Sequence, residues 1–474
     1  MMTPRFVNRT KELASLARWW KTDDQAAVVW GRRRVGKTAL LQRFVDDKPV
    51  VFHTGADRGE VDELRLLAEH VASSFPGGLR DPAERPYSTW EDALDDLASR
   101  AASHPLLVVI DEFPELVASS PGLPGILRAF LDRSRGKTRL RLLLCGSAVR
   151  HMQALQEERE PLYGRFDLSL QVHPFDQHEA ALLLESLDPA DRALVYGVMG
   201  GMPLYLTWWD QDASVDDNLA RLVCEPGARL LTEGELVLRT DIDGGEYARQ
   251  VLHAIAAGRT QYGEIKDYVR AEPQRTLERL IELRLVERMK PVGTSERSKR
   301  RMYRIIDPFL RFHLGTATRY RSEIERGLGP SILPVLREAV NDHMGEVWEE
   351  AFRSELRRRA AAGALPIDGD VVGVGAWWDA GHQLEIDALI LAGRSATPVM
   401  AGEAKWSMSA NATALVASLR RKVERGLGLD PDNLRYAVCA RTSLNNLEPD
   451  VLALTADDLF RVETTSPQEP RRAR

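Results

Sequence analysis

An α/β architecture built on a parallel sheet is predicted for the N-terminal part of this 474-residue chain, and three observations predict it. The first is the run Ala27-Val28-Val29-Trp30-Gly31-Arg32-Arg33-Arg34-Val35-Gly36-Lys37-Thr38-Ala39-Leu40-Leu41. In it an apolar strand enters a G-x-x-x-x-G-K-T loop and an apolar helix leaves. The second is Leu106-Leu107-Val108-Val109-Ile110, which ends in Asp111-Glu112. The third is Leu140-Arg141-Leu142-Leu143-Leu144-Cys145-Gly146, which ends at Ser147. Continuous apolar runs suit central parallel strands covered on both faces. Polar residues at their carboxyl ends sit where open α/β sheets bind ligands.

The loop is a phosphate cradle. Gly31 and Gly36 let the backbone curl so that successive N–H groups, from Arg34 and Val35 through Gly36 to Ala39, face phosphate oxygens. The N-terminus of the following helix adds partial positive charge. Lys37 would reach the β- and γ-phosphates and the Thr38 hydroxyl would ligate Mg²⁺, so ATP with Mg²⁺ is the expected ligand pair. Asp111 would hold the same ion, and Glu112 would polarise the attacking water. Read blandly, Asp111-Glu112 is a helix N-cap pair. Ser147 is either a sensor of the γ-phosphate or an N-cap before Ala148-Val149-Arg150. After Tyr163-Gly164, ahead of a strand over Leu168–Val172, Arg165 is either an arginine finger, in cis or from a neighbouring subunit, or a solvated surface residue.

These motifs share one order with Phe6-Val7-Asn8-Arg9-Thr10-Lys11-Glu12-Leu13, Pro161-Leu162-Tyr163-Gly164-Arg165 and Gly200-Gly201-Met202-Pro203-Leu204-Tyr205. Together they resemble the archaeal-type ATPase family, a branch of the STAND/AAA-like ATPases. The resemblance runs over about residues 5–320. It implies Arg9 near the adenine, Pro203 in a lid against the nucleotide, and a switch between ADP and ATP states. It also allows a nucleotide-dependent homo-oligomer. Asn8 departs from the family's usual Gly.

Composition narrows the partners. A net charge of −6 gives no global nucleic-acid signature. Three cysteines, Cys145, Cys224 and Cys439, are odd in number and widely spaced, which argues for packing rather than disulfides or zinc. The charged N-terminus lacks an apolar leader core, and no apolar stretch is long enough for a membrane span. A soluble cytoplasmic protein is expected, with no membrane partner.

Apolar residues such as Ala180, Leu183, Leu184 and Leu187 recur at helical spacing and predict a helical lid over 176–240. Three short helices over Tyr247–Ala257, Ile265–Val269 and Thr276–Leu283 lead to strands over Val286–Lys290 and Met302–Ile306. That order predicts a winged helix-turn-helix over 241–320, with a recognition helix starting near Gln274-Arg275. Between Arg270 and Arg304 eleven Lys/Arg face five Asp/Glu. Arg275, Arg279, Arg297, Lys299, Arg300 and Arg301 are the candidate DNA phosphate contacts. The alternative is an internal switch or interaction module.

Gly327-Leu328-Gly329-Pro330 reads as a linker. Beyond it come an amphipathic helix from Ile332 to about Arg359 and strands over Leu384–Leu391 and Val399–Trp406. Glu403 and Lys405, two apart, share a strand face, and Asp387 lies on the preceding strand. D–(15 residues)–E-x-K resembles the PD-(D/E)XK nuclease superfamily, and the setting resembles the domain of uncharacterised function often fused to archaeal-type ATPases. Gly345-Glu346-Val347-Trp348-Glu349-Glu350 matches that domain's helix. The resemblance implies Asp387, Glu403 and Glu349 as ligands of Mg²⁺ or Mn²⁺, with Lys405 catalytic in phosphodiester cleavage. The alternative is a charged hairpin face or a degenerate nuclease fold that binds a partner without cutting.

The expected fold class is therefore α/β: a P-loop ASCE/AAA-like core over 1–175, a helical lid, a winged helix and a small nuclease-like α/β domain over 330–464. A Pro- and Arg-rich tail over 465–474 is expected to be disordered.

Overall fold

A computed structural model of the chain describes residues 6–76, 81–240, 242, 245–295, 298 and 300–462. The chain divides into two compact units, one ending at Pro174 and the other starting at Phe175.

The first unit is a five-stranded parallel sheet of β1 (Ala26–Trp30), β2 (Val50–Thr54), β3 (Leu106–Asp111), β4 (Leu140–Gly146) and β5 (Leu168–Gln171), in the order β2-β3-β4-β1-β5. The three apolar runs occupy the three central positions, where every residue is buried. The more mixed β2 and β5 form the edges and are only partly covered. Ala26, Val28 and Trp30, with Val108 and Leu142 beside them, pack on the helices Glu60–Ser74, Trp90–Arg100 and Leu123–Ser134. Their odd-numbered neighbours Val29, Val109 and Leu143 are equally buried, so both faces are covered. Each such side chain contributes about 1.5–3 kcal/mol by leaving water.

The second unit begins with the helices Gln177–Ala181, Pro189–Met199, Pro203–Leu206, Val215–Val223 and Arg229–Thr240. Helices Gly245–Ala256, Tyr262–Val269 and Gln274–Glu282 follow, then β6 (Val286–Met289) antiparallel to β7 (Met302–Ile305). The predicted linker at 327–330 is not extended. Gly327 makes a left-handed kink at φ 88°, and a 33-residue helix, Gly329–Ala361, starts two residues later. The helix enters so close to Cys224 that a Cβ on Gly329 would lie 1.7 Å from the Cys224 carbonyl oxygen. Pro330 sits in the first turn, where its missing N–H costs nothing.

A mixed sheet completes this unit. Its main strands are β8 (Val371–Trp378), β9 (Glu385–Ala392), β10 (Thr397–Lys405), β12 (Arg435–Ala440) and β14 (Val451–Leu454), in the order β14-β12-β10-β9-β8. A small parallel pair, β11 (Ser409–Asn411) and β13 (Ser443–Asn445), lies outside it. Trp348, Phe352 and Leu356 of the long helix cover one face of the main sheet, with Ile390, Met400 and Ala404. Val416 and Leu419 of helix Ala412–Lys422 cover the other, with Ile386, Ala401 and Val438. No helix among the described residues is long and apolar enough to cross a membrane, and all three cysteines are buried and unbridged.

Candidate functional site

The loop between β1 and helix Lys37–Val45 holds itself in the shape a phosphate needs. A Cβ on Gly31 would lie 2.3 Å from the Val172 carbonyl oxygen, so only glycine allows β5 to approach there. Arg34 and Gly36 take positive φ values of 67° and 93°, which curl the loop. Val35 is buried, while Arg34 is half-buried and Ala39 is exposed in the helix. No side chain caps this helix, whereas Thr89, Asp176 and Asp188 cap theirs. Its first N–H groups are therefore left to the loop, the arrangement that suits an anion. Lys37 is buried, and its Nζ donates to the carbonyl oxygens of Gly31 (2.9 Å) and Arg32 (3.0 Å).

Arg9, which the resemblance places near the adenine, braces the phosphate loop. It is buried, and its guanidinium donates to Val35 O (2.9 Å), His173 O (2.8 Å) and Glu12 Oε1 (2.9 Å). It thereby ties the phosphate loop to the chain after β5. Its own left-handed φ of 61° starts helix Thr10–Lys21. Pro203 opens the short helix Pro203–Leu206 of the second unit.

At the carboxyl end of β3 the Thr38 hydroxyl donates to Asp111 Oδ2 at 2.9 Å. Hydroxyl and carboxylate oxygens converging at a phosphate loop are the hard donors that Mg²⁺ takes, so the residues fit that ion. Glu112 has left-handed backbone (φ 50°, ψ 44°), and its side chain caps no helix. Instead its carboxylate accepts from Ser147 Oγ at 2.8 Å and 3.0 Å, and from Ser147 N at 3.3 Å. Glu112 stands at the N-cap position of helix Phe113–Ser119 without capping it through its side chain, and Ala148 rather than Ser147 occupies the cap position of helix Val149–Ala154. Arg165 stands apart: its guanidinium holds Asp132 at 3.2 Å and donates to Tyr163 O at 2.7 Å.

The second predicted centre brings Glu349, Asp387, Glu403 and Lys405 close enough for each charge to act on another. Among the described residues no group of three or more His, Cys, Asp or Glu side chains is placed to hold a metal ion. Strand alternation breaks beside Asp387. Ile386 packs beneath helix Ala412–Lys422, yet Ala388 packs beneath the long helix, so the residues flanking Asp387 lie on opposite faces. A Cβ on Gly402 would meet Phe352 of the long helix, and Ala404 packs on that side too. Alternation sends Glu403 to the opposite face from Glu349, which rides on the long helix. There Glu403 Oε1 meets Lys405 Nζ at 2.8 Å and Oε2 meets Lys422 Nζ at 2.5 Å. Asp387 accepts from Ala404 N at 2.8 Å, and Arg353 donates to its carbonyl oxygen at 2.7 Å. Burial and Glu403 push the Asp387 carboxyl up, and burial and Asp387 push Glu349 up. Burial works against the Lys405 ammonium, but the hydrogen bond and charge of Glu403 outweigh it and raise its pKa. In the sequence, Lys422 and Arg353 carry little sign of these contacts beyond the basic last turn Arg420-Arg421-Lys422.

The basic hairpin is also redirected. Val292 N donates to Ala376 O at 2.9 Å, and Arg300 donates to Trp378 O at 3.1 Å, so these two residues of the loop between β6 and β7 lie against β8. Gly373 and Gly375 make room: a Cβ on either would come within 3.3 Å and 3.1 Å of the Val292 side chain. Arg301 Nε donates to Ser298 O at 2.9 Å, and Arg297 and Lys299 lie outside the described residues. Arg275 is exposed and Arg279 half-buried on helix Gln274–Glu282.

Comparison with known proteins accords with this geometry. Residues 6–208 match a family described as an ATPase domain predominantly from Archaea. Residues 315–416 match one described as Archaea bacterial proteins of unknown function. An uncharacterized protein of Methanocaldococcus jannaschii is 24% identical over 465 residues, 96% of this chain and 99% of that protein. An uncharacterized ATP-binding protein of the same organism is 44% identical over 46 residues, 10% of this chain and 78% of that protein. A Walker-type ATPase of Pyrococcus abyssi shares the fold, with a TM-score of 0.50 and 21% identity over 66% of this chain and 99% of its own. Residues 6–208 are thus an ATPase domain, and the chain is an ATP-hydrolysing enzyme.

Proposed function

We propose that this chain is a nucleotide-controlled switch in which ATP hydrolysis in the first unit sets what the second unit binds. The observation that carries the proposal is the pair of hydroxyl–carboxylate contacts at the sheet's end, Thr38 with Asp111 and Ser147 with Glu112. Lys37 would neutralise the β- and γ-phosphates, and Thr38 and Asp111 would hold Mg²⁺, which supplies charge neutralisation there. Glu112 would take the proton of the attacking water. To do so it must turn from Ser147, whose hydroxyl then becomes a donor for the γ-phosphate. Exchange of one partner for the other links nucleotide state to the β4 end. Arg165 would leave Asp132 to act as the finger, in cis or in a homo-oligomer.

For the second unit, the helices and hairpin over 245–305 support a winged helix, with Arg275 and Arg279 as the DNA phosphate contacts. The sheet of β8–β10 with the long helix supports a nuclease-like fold. Of its two readings, cleavage or partner binding without cleavage, the second is favoured by the two ammonium groups on Glu403. The test is hydrogen exchange over 245–462 in Glu112→Gln, which should hold ATP. Protection that differs between ATP and ADP supports the switch; identical protection refutes it.

A further inference from the structure

We infer that Lys422 occupies the place of the divalent cation at Asp387 and Glu403, making this a site that excludes metal rather than one that awaits it. The inference deepens the partner-binding reading of the second unit and rests on it. Two carboxylates and one lysine on a strand pair leave negative charge in excess, and a divalent ion ordinarily fills that deficit. Here the deficit is met by the chain itself. Both oxygens of Glu403 are taken, Oε1 by Lys405 (2.8 Å) and Oε2 by Lys422 (2.5 Å). Glu349, the third expected ligand, lies 3.7 Å from Arg353, whose Nε is held by Glu350 at 2.9 Å. Glu403 is thus matched by Lys405 and Lys422, whose ammonium charges also act on Asp387.

Position reinforces charge. Glu403 is 6% exposed, so its carboxylate has little water to exchange for a metal. Lys422 ends helix Ala412–Lys422, whose apolar face is fixed under the sheet by Val416 and Leu419. The ammonium is therefore delivered by a packed element rather than by a mobile tail. A divalent ion reaching Glu403 would have to displace it and then sit beside two ammonium groups, a repulsion that is large at low local dielectric. Mg²⁺ also sheds water reluctantly and demands near-octahedral oxygen geometry, which one available Asp387 carboxylate cannot supply.

The experiment is Mn²⁺ titration of the full chain without nucleotide, followed by calorimetry and by electron paramagnetic resonance of the free ion. It is done in an Asp111→Asn background so that the first unit contributes no oxygen site. The parent should show no Mn²⁺ site that depends on Glu403. Lys422→Met should gain one, tightening affinity by about tenfold or more, and adding Glu403→Gln should abolish the gain. Lys422→Arg, which keeps the charge, should exclude Mn²⁺ like the parent and reports whether the helix end tolerates change. A parent site lost in Glu403→Gln, or a folded Lys422→Met protein that gains nothing, overturns the inference. Neither result touches the nucleotide-switch proposal, which is read from ATP-dependent exchange instead.

Discussion

Two strand-end carboxylate groups in this molecule carry similar residues and have opposite chemical prospects. At β3, Asp111 and Glu112 are each met by a hydroxyl, Thr38 and Ser147. At β10, Glu403 is met by two ammonium groups. A hydroxyl is neutral and can turn from donating to a carboxylate to ligating a cation or donating to a phosphate, at a cost of one ordinary hydrogen bond. An ammonium brings a full charge that satisfies the carboxylate and repels any incoming cation. The partner, more than the acidic residue, decides whether a carboxylate is available for chemistry.

The largest effect should come from removing the available one. Glu112→Gln keeps the shape at Ser147 but cannot take a proton, so ATP turnover should fall about a hundred- to ten-thousand-fold while ATP remains bound. Lys37→Ala should instead weaken ATP binding itself, because the loop loses its point charge on the phosphates. Phosphate release and nucleotide-binding assays on the two variants check this. Unchanged turnover in Glu112→Gln would break the contrast at its stronger end.

Next in size is stability at the other site. Glu403→Leu strands two ammonium groups, one of them only 20% exposed, and should cost about 1–3 kcal/mol locally. Thr38→Ala removes an exposed hydroxyl and should change stability by less than about 0.5 kcal/mol. Hydrogen exchange along β10 and along β3, taken separately, measures each. Equal costs would mean that the two partnerships are alike after all.

Much of the first site is legible in the sequence because it is local. Strand, loop and helix follow one another within 15 residues, and three apolar runs, the last broken only by Arg141, announce the central strands. Even there, the bracing of Val35 by Arg9 across 26 residues carries no local signal. The second site depends on facts that periodicity does not encode. β8 contains Gly373 and Gly375, which obscure its alternation but create the groove for Val292. The face of Asp387 depends on an irregularity between β8 and β9, where pairing shifts between Gly375 and Trp377. Lys422 reaches Glu403 from a helix 19 residues on.

The contrast between units extends to acid. Burial, with Arg311 nearby, lowers His343 to about 3, and burial with Arg321 lowers His313 to about 4. A histidine depressed in the folded state stabilises above its unfolded value of about 6.5, and that stability is lost as pH falls below it. Between pH 7 and 5.5 each should cost the second unit about 1 kcal/mol. The raised Asp387 and Glu349 carboxyls respond in the opposite sense, so the measurement is the parent compared with His343→Gln over that range. In the first unit burial also lowers His53, but Glu63 at 2.9 Å opposes it, so the corresponding loss in His53→Gln should be smaller. A larger pH response at His53 would reverse the comparison.

The smallest effect applies the same lesson to cations. Arg300 and Arg275 are both arginines of the basic segment, yet Arg300 is held by the Trp378 carbonyl and Arg275 is exposed. If partnership decides function, Arg300→Ala should loosen the hairpin from β8 by about 0.5–1.5 kcal/mol, the worth of one hydrogen bond. Its effect on any DNA binding should be slight. Arg275→Ala should leave β8 unchanged and, if the helix meets a duplex, flatten the log–log salt dependence by about 0.9. The two readouts are independent: exchange at Ala376 and Trp378 for the first, salt-dependent DNA titration for the second. A salt slope that responds to Arg300 and not to Arg275 would mean the hairpin leaves the sheet to bind. In that case the contact with β8 is a resting position, and the occupied carbonyl at Trp378 says no more about function than the exposed guanidinium does.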